Sequence, residues 1–136
     1  MRYLAVDYGQ KRTGLALCDA AETIASPLTV LTGHKRLIEQ IVQVIRSEQI
    51  DAVVLGLPLN MDDSEGPQAK QVRDFADEFK KHIEIPIFFH DERLSSFEAE
   101  KKLAGTQMTH RGKKKRIDAI AAAAILQSFL EQKHTG

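Results

Sequence analysis

Four carboxylates stand where the chain changes direction. Asp7 closes the apolar run Leu4-Ala5-Val6, Asp91 and Glu92 follow Ile85-Pro86-Ile87-Phe88-Phe89-His90, and Asp118 heads an alanine-rich stretch. An aspartate at the end of a core strand is either a solvated strand end or a ligand for a cation. Asp118 falls in line with Ala121, Ala122, Ile125 and Phe129 at helical spacing, where a carboxylate is costly unless paired, protonated or metal-bound. It would equally suit the positive end of a helix dipole. Strand alternation sends Asp91 and Glu92 to opposite faces, so parity leaves open which of them joins a site. A solvated turn with Arg93 as surface ion-pair partner accounts for both as well. No cysteine or histidine motif accompanies these acids, and oxygen ligands of this kind suit Mg²⁺ or Mn²⁺ rather than zinc. Two such ions can hold a scissile phosphate between them. Lys11, Arg12, Arg93 and the run Lys113-Lys114-Lys115-Arg116 would hold flanking phosphates, with a solvated surface run the plain alternative for the last four.

The elements that must position these acids are readable from pattern. Tyr3 to Val6, Leu15 to Cys18 and a third run near Ile24 to Val30 read as antiparallel strands, with Gly9 and Gly14 permitting the first reversal. Pro27 cannot donate to a ladder, which puts the third strand at an edge or leaves it partly paired. Leu37, Ile38, Ile41, Val42 and Ile45 mark an amphipathic helix. Ile50 to Pro58 is an almost unbroken apolar run, as in a strand covered on both faces. A polar loop over 59–67 precedes a second helix from Gln68, striped by Val72, Phe75, Ala76 and Phe79. Ile85 to Phe89 reads as another buried strand. Ser95 or Ser96 would cap a third helix to about Leu103, a role that suits them better than that of nucleophile because no activating base is near. Residues 104–116 read as a mobile basic loop, and a last helix runs from about Arg116 to Gln132, its small-residue face suited to lie close to a sheet. The expected fold is one α/β domain over 1–136, a mixed sheet of about five strands, three antiparallel then two parallel, with helices on both faces.

The bulk numbers narrow the partners. Nineteen Lys plus Arg balance nineteen Asp plus Glu, so any nucleic-acid contact is local rather than global. Cys18 is the only cysteine, which excludes an intrachain disulfide framework and fits a reducing cytoplasm. No apolar run approaches the ~20 residues of a membrane helix.

Four strings carry a resemblance over essentially the whole chain: Asp7-Tyr8-Gly9-Gln10-Lys11-Arg12-Thr13-Gly14-Leu15-Ala16, Gly56-Leu57-Pro58-Leu59-Asn60-Met61-Asp62, Asp91-Glu92-Arg93-Leu94-Ser95-Ser96 and Ile117-Asp118-Ala119-Ile120-Ala121-Ala122. In order and spacing they resemble the YqgF (RuvX) family. That resemblance implies a compact RNase H-like fold related to the RuvC resolvases, and activity as a Holliday junction resolvase or as a nuclease maturing the 5′ end of 16S rRNA. It implies that Asp7, Glu92 and Asp118 bind Mg²⁺ or Mn²⁺, with Asp7 shared by two ions and Asp91 as a supporting acid. Two positions depart from the family pattern: Asp63 stands where glycine is expected, and Thr13 where an aliphatic residue is common. The expectation is a metal-dependent endonuclease acting on structured nucleic acid, pre-rRNA before branched DNA, as a monomer or weak homodimer, with the ribosome as a candidate partner. A nucleotide-binding ATPase of the two-lobed kind is disfavoured by a chain long enough for one lobe. A non-catalytic RNA-binding module is the remaining rival.

Overall fold

The computed structural model describes residues 1–94 and 110–135, with side chains from Ala119 onward in the second segment. The proposed third helix with its Ser95 and Ser96 caps lies outside the described residues. Three antiparallel strands open the chain: β1 (Tyr3–Asp7), β2 (Arg12–Cys18) and β3 (Ala25–Thr32). Then come helix α1 (Leu37–Ser47), β4 (Ala52–Leu57), α2 (Pro67–Phe79), β5 (Ile87–Asp91) and the long helix α3 (His110–Thr135). The sheet order is β3-β2-β1-β4-β5, with β4 parallel to β1 and β5 parallel to β4. This is the mixed sheet expected from the pattern. Pro27 lies on edge strand β3, as its missing N–H requires, and a register shift falls between Leu15 and Ala16, beside its pairing position.

Alternation along each strand divides the core. Leu4, Val6, Leu15, Val53 and Leu55 face α1 and α2 and pack with Leu37, Ile41, Val72, Phe75 and Phe79. Tyr3, Ala5, Ala16, Cys18, Ala52 and Val54 face the other way, against Ala122, Ala123, Leu126 and Leu130 of α3. Small side chains on both partners let α3 approach this face closely.

Two expectations are corrected. The strand expected over 85–89 is Ile87–Asp91, and it is an edge strand, so Phe88 and Phe89 remain 41% and 39% exposed instead of buried. It starts after Pro86, whose carbonyl still accepts from the Val53 N–H. The basic stretch expected as a loop to residue 116 is helical from His110, so Lys113 to Arg116 belong to α3. Lysine and arginine are good helix formers, and Gly112 sits in the first turn, where a weak former costs least.

Thr13 is fully buried on the α1/α2 side of β2, and its hydroxyl has no hydrogen-bond partner among the described residues. Valine has the same shape without the unsatisfied polar atom. Thr13→Val is therefore expected to stabilise the protein by about 1 kcal/mol in urea denaturation, where a loss of stability would count against an unpaired hydroxyl.

Candidate metal centre and cleft

Parallel pairing brings the C-terminal ends of β1, β4 and β5 to one edge of the sheet. Val6 pairs with Leu55, Gly56 with His90 and Leu57 with Asp91, so Asp7, Gly56 and His90 occupy one row across three strands. Asp7 shares the sheet face of Tyr3 and Ala5, while Glu92 opens the short 3-10 turn Glu92–Leu94 after β5. Two strands lie about 9.6 Å apart across an intervening one. Glu92 bridges that span by passing over Gly56, where an added Cβ would fall 2.7 Å from Glu92 Oε1 and 2.9 Å from its Cγ. The glycine is the passage by which the acid just after β5 reaches the acid of β1.

The Glu92 and Asp7 side chains are hydrogen-bonded to each other. Two ionised carboxylates are acceptors only, so carboxyls this close call for a proton or a cation between them. Burial pushes the Glu92 carboxyl above its ordinary range and the nearby Asp91 charge adds to this, with the bond to Asp7 opposing both. A half-buried pair that cannot carry both charges alone, built from hard oxygen donors, fits a divalent cation in the place of that proton. Among the described side chains the acids here are these two. Residue 118 lies within α3, and the Asp118 side chain is outside the described part.

The pair sits in a cleft of about 360 Å³ lined also by Tyr8, Gln10, Gln68 and Gln71. The turn after β1 forms one wall and α2 the other. Gly9 is required in that turn, because a Cβ there would run into the Arg12 carbonyl. Lys11 and Arg12 are exposed at its tip, with the Lys11 carbonyl accepting from Gly33 N–H.

Asp91 and Arg93 form the ion pair that the solvated-turn reading offered, and Arg93 reaches further. The Arg93 guanidinium donates to both Asp91 oxygens at 2.7–3.1 Å, to the Asn60 carbonyl at 2.8 Å and to Asp63 at 2.7 Å. These bonds clasp the 59–66 loop to the end of β5 and hold the Asp91 carboxyl below its ordinary range. The side chains of Lys113, Lys114, Lys115 and Arg116 lie outside the described part.

A family model described as "RuvX: Holliday junction resolvase" matches residues 1–132. The chain belongs to the RuvX family. A protein of Roseiflexus sp. (strain RS-1) named "Putative pre-16S rRNA nuclease" is 42% identical over 132 residues, covering 96% of this chain and 94% of that one. One of the same name from Anaeromyxobacter sp. (strain Fw109-5) is 43% identical, covering 98% and 99%. Among solved structures, T. thermophilus RuvC in complex with a Holliday junction substrate superposes with a TM-score of 0.70 at 13% identity, covering 100% of this chain and 97% of that one. The fowlpox virus Holliday junction resolvase gives 0.59 at 14%, covering 97% and 99%. The RuvC-like, RNase H-type fold implied by the sequence resemblance is the fold observed.

Both departures from the RuvX pattern have a structural reading. Asp63 has φ 70°, the left-handed region in which glycine is at ease. Its carboxylate makes up for the lost glycine by pairing with Arg93. Thr13 occupies a buried site where an aliphatic side chain would leave nothing unpaired. Sequence reasoning missed Gly56, although its place one strand from both acids follows once the parallel register is known. It also missed His90, buried, whose Nε2 is 2.9 Å from Ser128 Oγ, while that hydroxyl donates to the Leu94 carbonyl at 2.9 Å. The hydroxyl proton is thus spent on Leu94, so His90 carries its proton on Nε2 and donates. The pair ties the turn bearing Glu92 to α3. Arg93→Gln is expected to loosen the 59–66 loop, seen as several-fold faster amide exchange there, with exchange in β1 and β4 unchanged. Uniform acceleration would mean that the clasp supports the whole fold.

Proposed function

We propose that this RuvX-family protein is a divalent-metal-dependent endonuclease whose main substrate is the 5′ region of 16S rRNA precursor. Nuclease chemistry follows from the family. The close approach of the Asp7 and Glu92 carboxyls in the cleft is the observation that carries the metal reading. Asp7 and Glu92 hold the cation, and Asp118 is proposed as the third ligand on the family resemblance. Bound Mg²⁺ or Mn²⁺ supplies charge neutralisation at the phosphate and activation of water, giving a 5′-phosphate and a 3′-hydroxyl. The chain's own residues do the rest. Gly56 leaves room for Glu92 to reach Asp7, and His90 with Ser128 fixes the turn that Glu92 leaves from. Lys11 and Arg12 hold the strand's phosphates. Arg93 is assigned to loop clasping, since its donors are largely engaged by Asp91, Asp63 and the Asn60 carbonyl. Lys113 to Arg116 are assigned to phosphate contact as a turn of helix. The proposed setting is the cytoplasm, with the precursor ribosome as partner.

The family's description as resolvases favours a second substrate, the four-way DNA junction. Paired cuts there call for a symmetric dimer, whereas end maturation needs one copy. The deciding experiment incubates purified protein with Mg²⁺ or Mn²⁺ and either a 16S precursor fragment or a four-way junction. Cleavage of the precursor at one site by a monomer is expected. Cleavage of neither would overturn the proposal, and cleavage of the junction alone would move it to DNA.

A further inference from the structure

We infer that the cleft beside Asp7 and Glu92 receives one unpaired nucleotide of the substrate, recognised through its base and ribose by the side-chain amides of Gln68 and Gln71. The inference rests on the nuclease reading for what lies next to the cleft, and it adds what the cleft selects. Gln68 and Gln71 stand three residues apart on one face of α2, both exposed, and Gln10 faces them from the turn after β1. The three amides engage no other described residue. An exposed amide held at the wall of a cleft and left uncommitted presents a donor and an acceptor in one plane, the pattern that matches the edge of a base.

The rest of the wall agrees. No lysine or arginine is among the described residues lining the cleft, so apart from the acids its chemistry is neutral and suits a nucleoside better than a phosphate. The cations Lys11 and Arg12 stand outside, on the tip of the adjoining turn, where a phosphate chain would run on either side of such a nucleotide. Tyr8 offers no stacking face, since its ring lies between Phe75 at 4.4 Å and His34 at 5.2 Å. Recognition therefore falls to hydrogen bonds rather than to an aromatic platform. The volume, about 360 Å³, suits one small ligand and not a base pair. A paired base has its hydrogen-bonding edge already used, so the nucleotide must be unpaired, as sequence-reading of RNA ordinarily requires.

The test measures binding by fluorescence anisotropy in Ca²⁺, using a labelled single-stranded RNA, the same strand in a full duplex, and single-stranded DNA of the same sequence. The wild type is expected to prefer the single strand over the duplex by about tenfold. Gln68→Ala/Gln71→Ala should abolish that preference while leaving duplex affinity unchanged. Lys11→Ala/Arg12→Ala should weaken all probes alike and flatten the salt dependence. Loss on both RNA and DNA assigns the contact to the base, and loss on RNA alone assigns it to the 2′-hydroxyl. A wild type without preference, or a glutamine variant that keeps it, overturns the inference. Preference without cleavage in the precursor assay would instead sink the nuclease reading and leave this one standing.

Discussion

Asp7→Asn is expected to give a well-folded protein that no longer cuts, with activity on the precursor fragment down on the order of 10³-fold or more, as for removal of a central catalytic group. Asparagine keeps the shape and can donate to Glu92, so the bond between β1 and the turn after β5 survives while the charge that attracts the cation is gone. The same change separates metal binding from folding. Mn²⁺ at about 100 times its Kd should stabilise the wild type by about 2.7 kcal/mol, and the variant by far less. The pH dependence follows from Glu92. Its carboxyl is raised in the folded state, chiefly by burial. The folded protein thus holds a proton that the unfolded chain releases, and this contribution is complete below the ordinary glutamate range. In the metal-free protein it is lost as pH rises through the raised Glu92 value. Saturating Mn²⁺ should remove that loss, and Asp7→Asn should diminish it without metal. Denaturation midpoints across this range, with and without EDTA, would show both effects. A wild-type protein whose stability ignores Mn²⁺ at every pH would end the metal reading.

Much of the candidate site is legible in the sequence. The order of strands followed from apolar runs and turn residues, and Asp7 followed from its place at the end of one of them. Glu92 and Asp91 could not be separated by pattern, because alternation says that they diverge without saying which face holds the site. The structure separates them by what lies opposite: Asp7 for Glu92, Arg93 for Asp91. Arg93 had two readings in the sequence, a phosphate ligand or a surface ion-pair partner of Asp91, and the ion pair is present. A cation near an acidic site looks like a phosphate ligand in sequence, and only the fold shows that Asp63 and the Asn60 carbonyl have already taken its donors. The edge character of β5 was hidden because Ile87-Phe88-Phe89 is as apolar as a central strand. Lateral position in a sheet is a tertiary fact that no local pattern records. The helical start at His110 was obscured by Gly112 and by charge that reads as loop.

Gly56→Ala tests a positioning device that the sequence did not announce. The methyl group would point into the space between β4 and α3, meeting Glu92 and also Ile125 Cδ1 at 2.7 Å. These neighbours can give way in different manners. Ile125 presents the end of a flexible side chain and can change rotamer, so the packing cost should stay within about 1–3 kcal/mol. Glu92 has no such freedom, because its Cγ and its carboxylate are both in contact and the side chain must still arrive at Asp7. It has to swing away, and a displacement near 1 Å is expected to cost on the order of 10²-fold in activity. The two effects come apart in a second variant. Ile125→Val removes the methyl that the new Cβ would strike in α3, so Gly56→Ala/Ile125→Val should recover most of the lost stability and little of the lost kcat or Mn²⁺ affinity. If the double variant regains full activity, the helix contact was the cause and Gly56 serves packing alone. If activity stays low in a protein of near wild-type stability, the bare backbone at residue 56 is what allows an acid just after β5 to join one on β1.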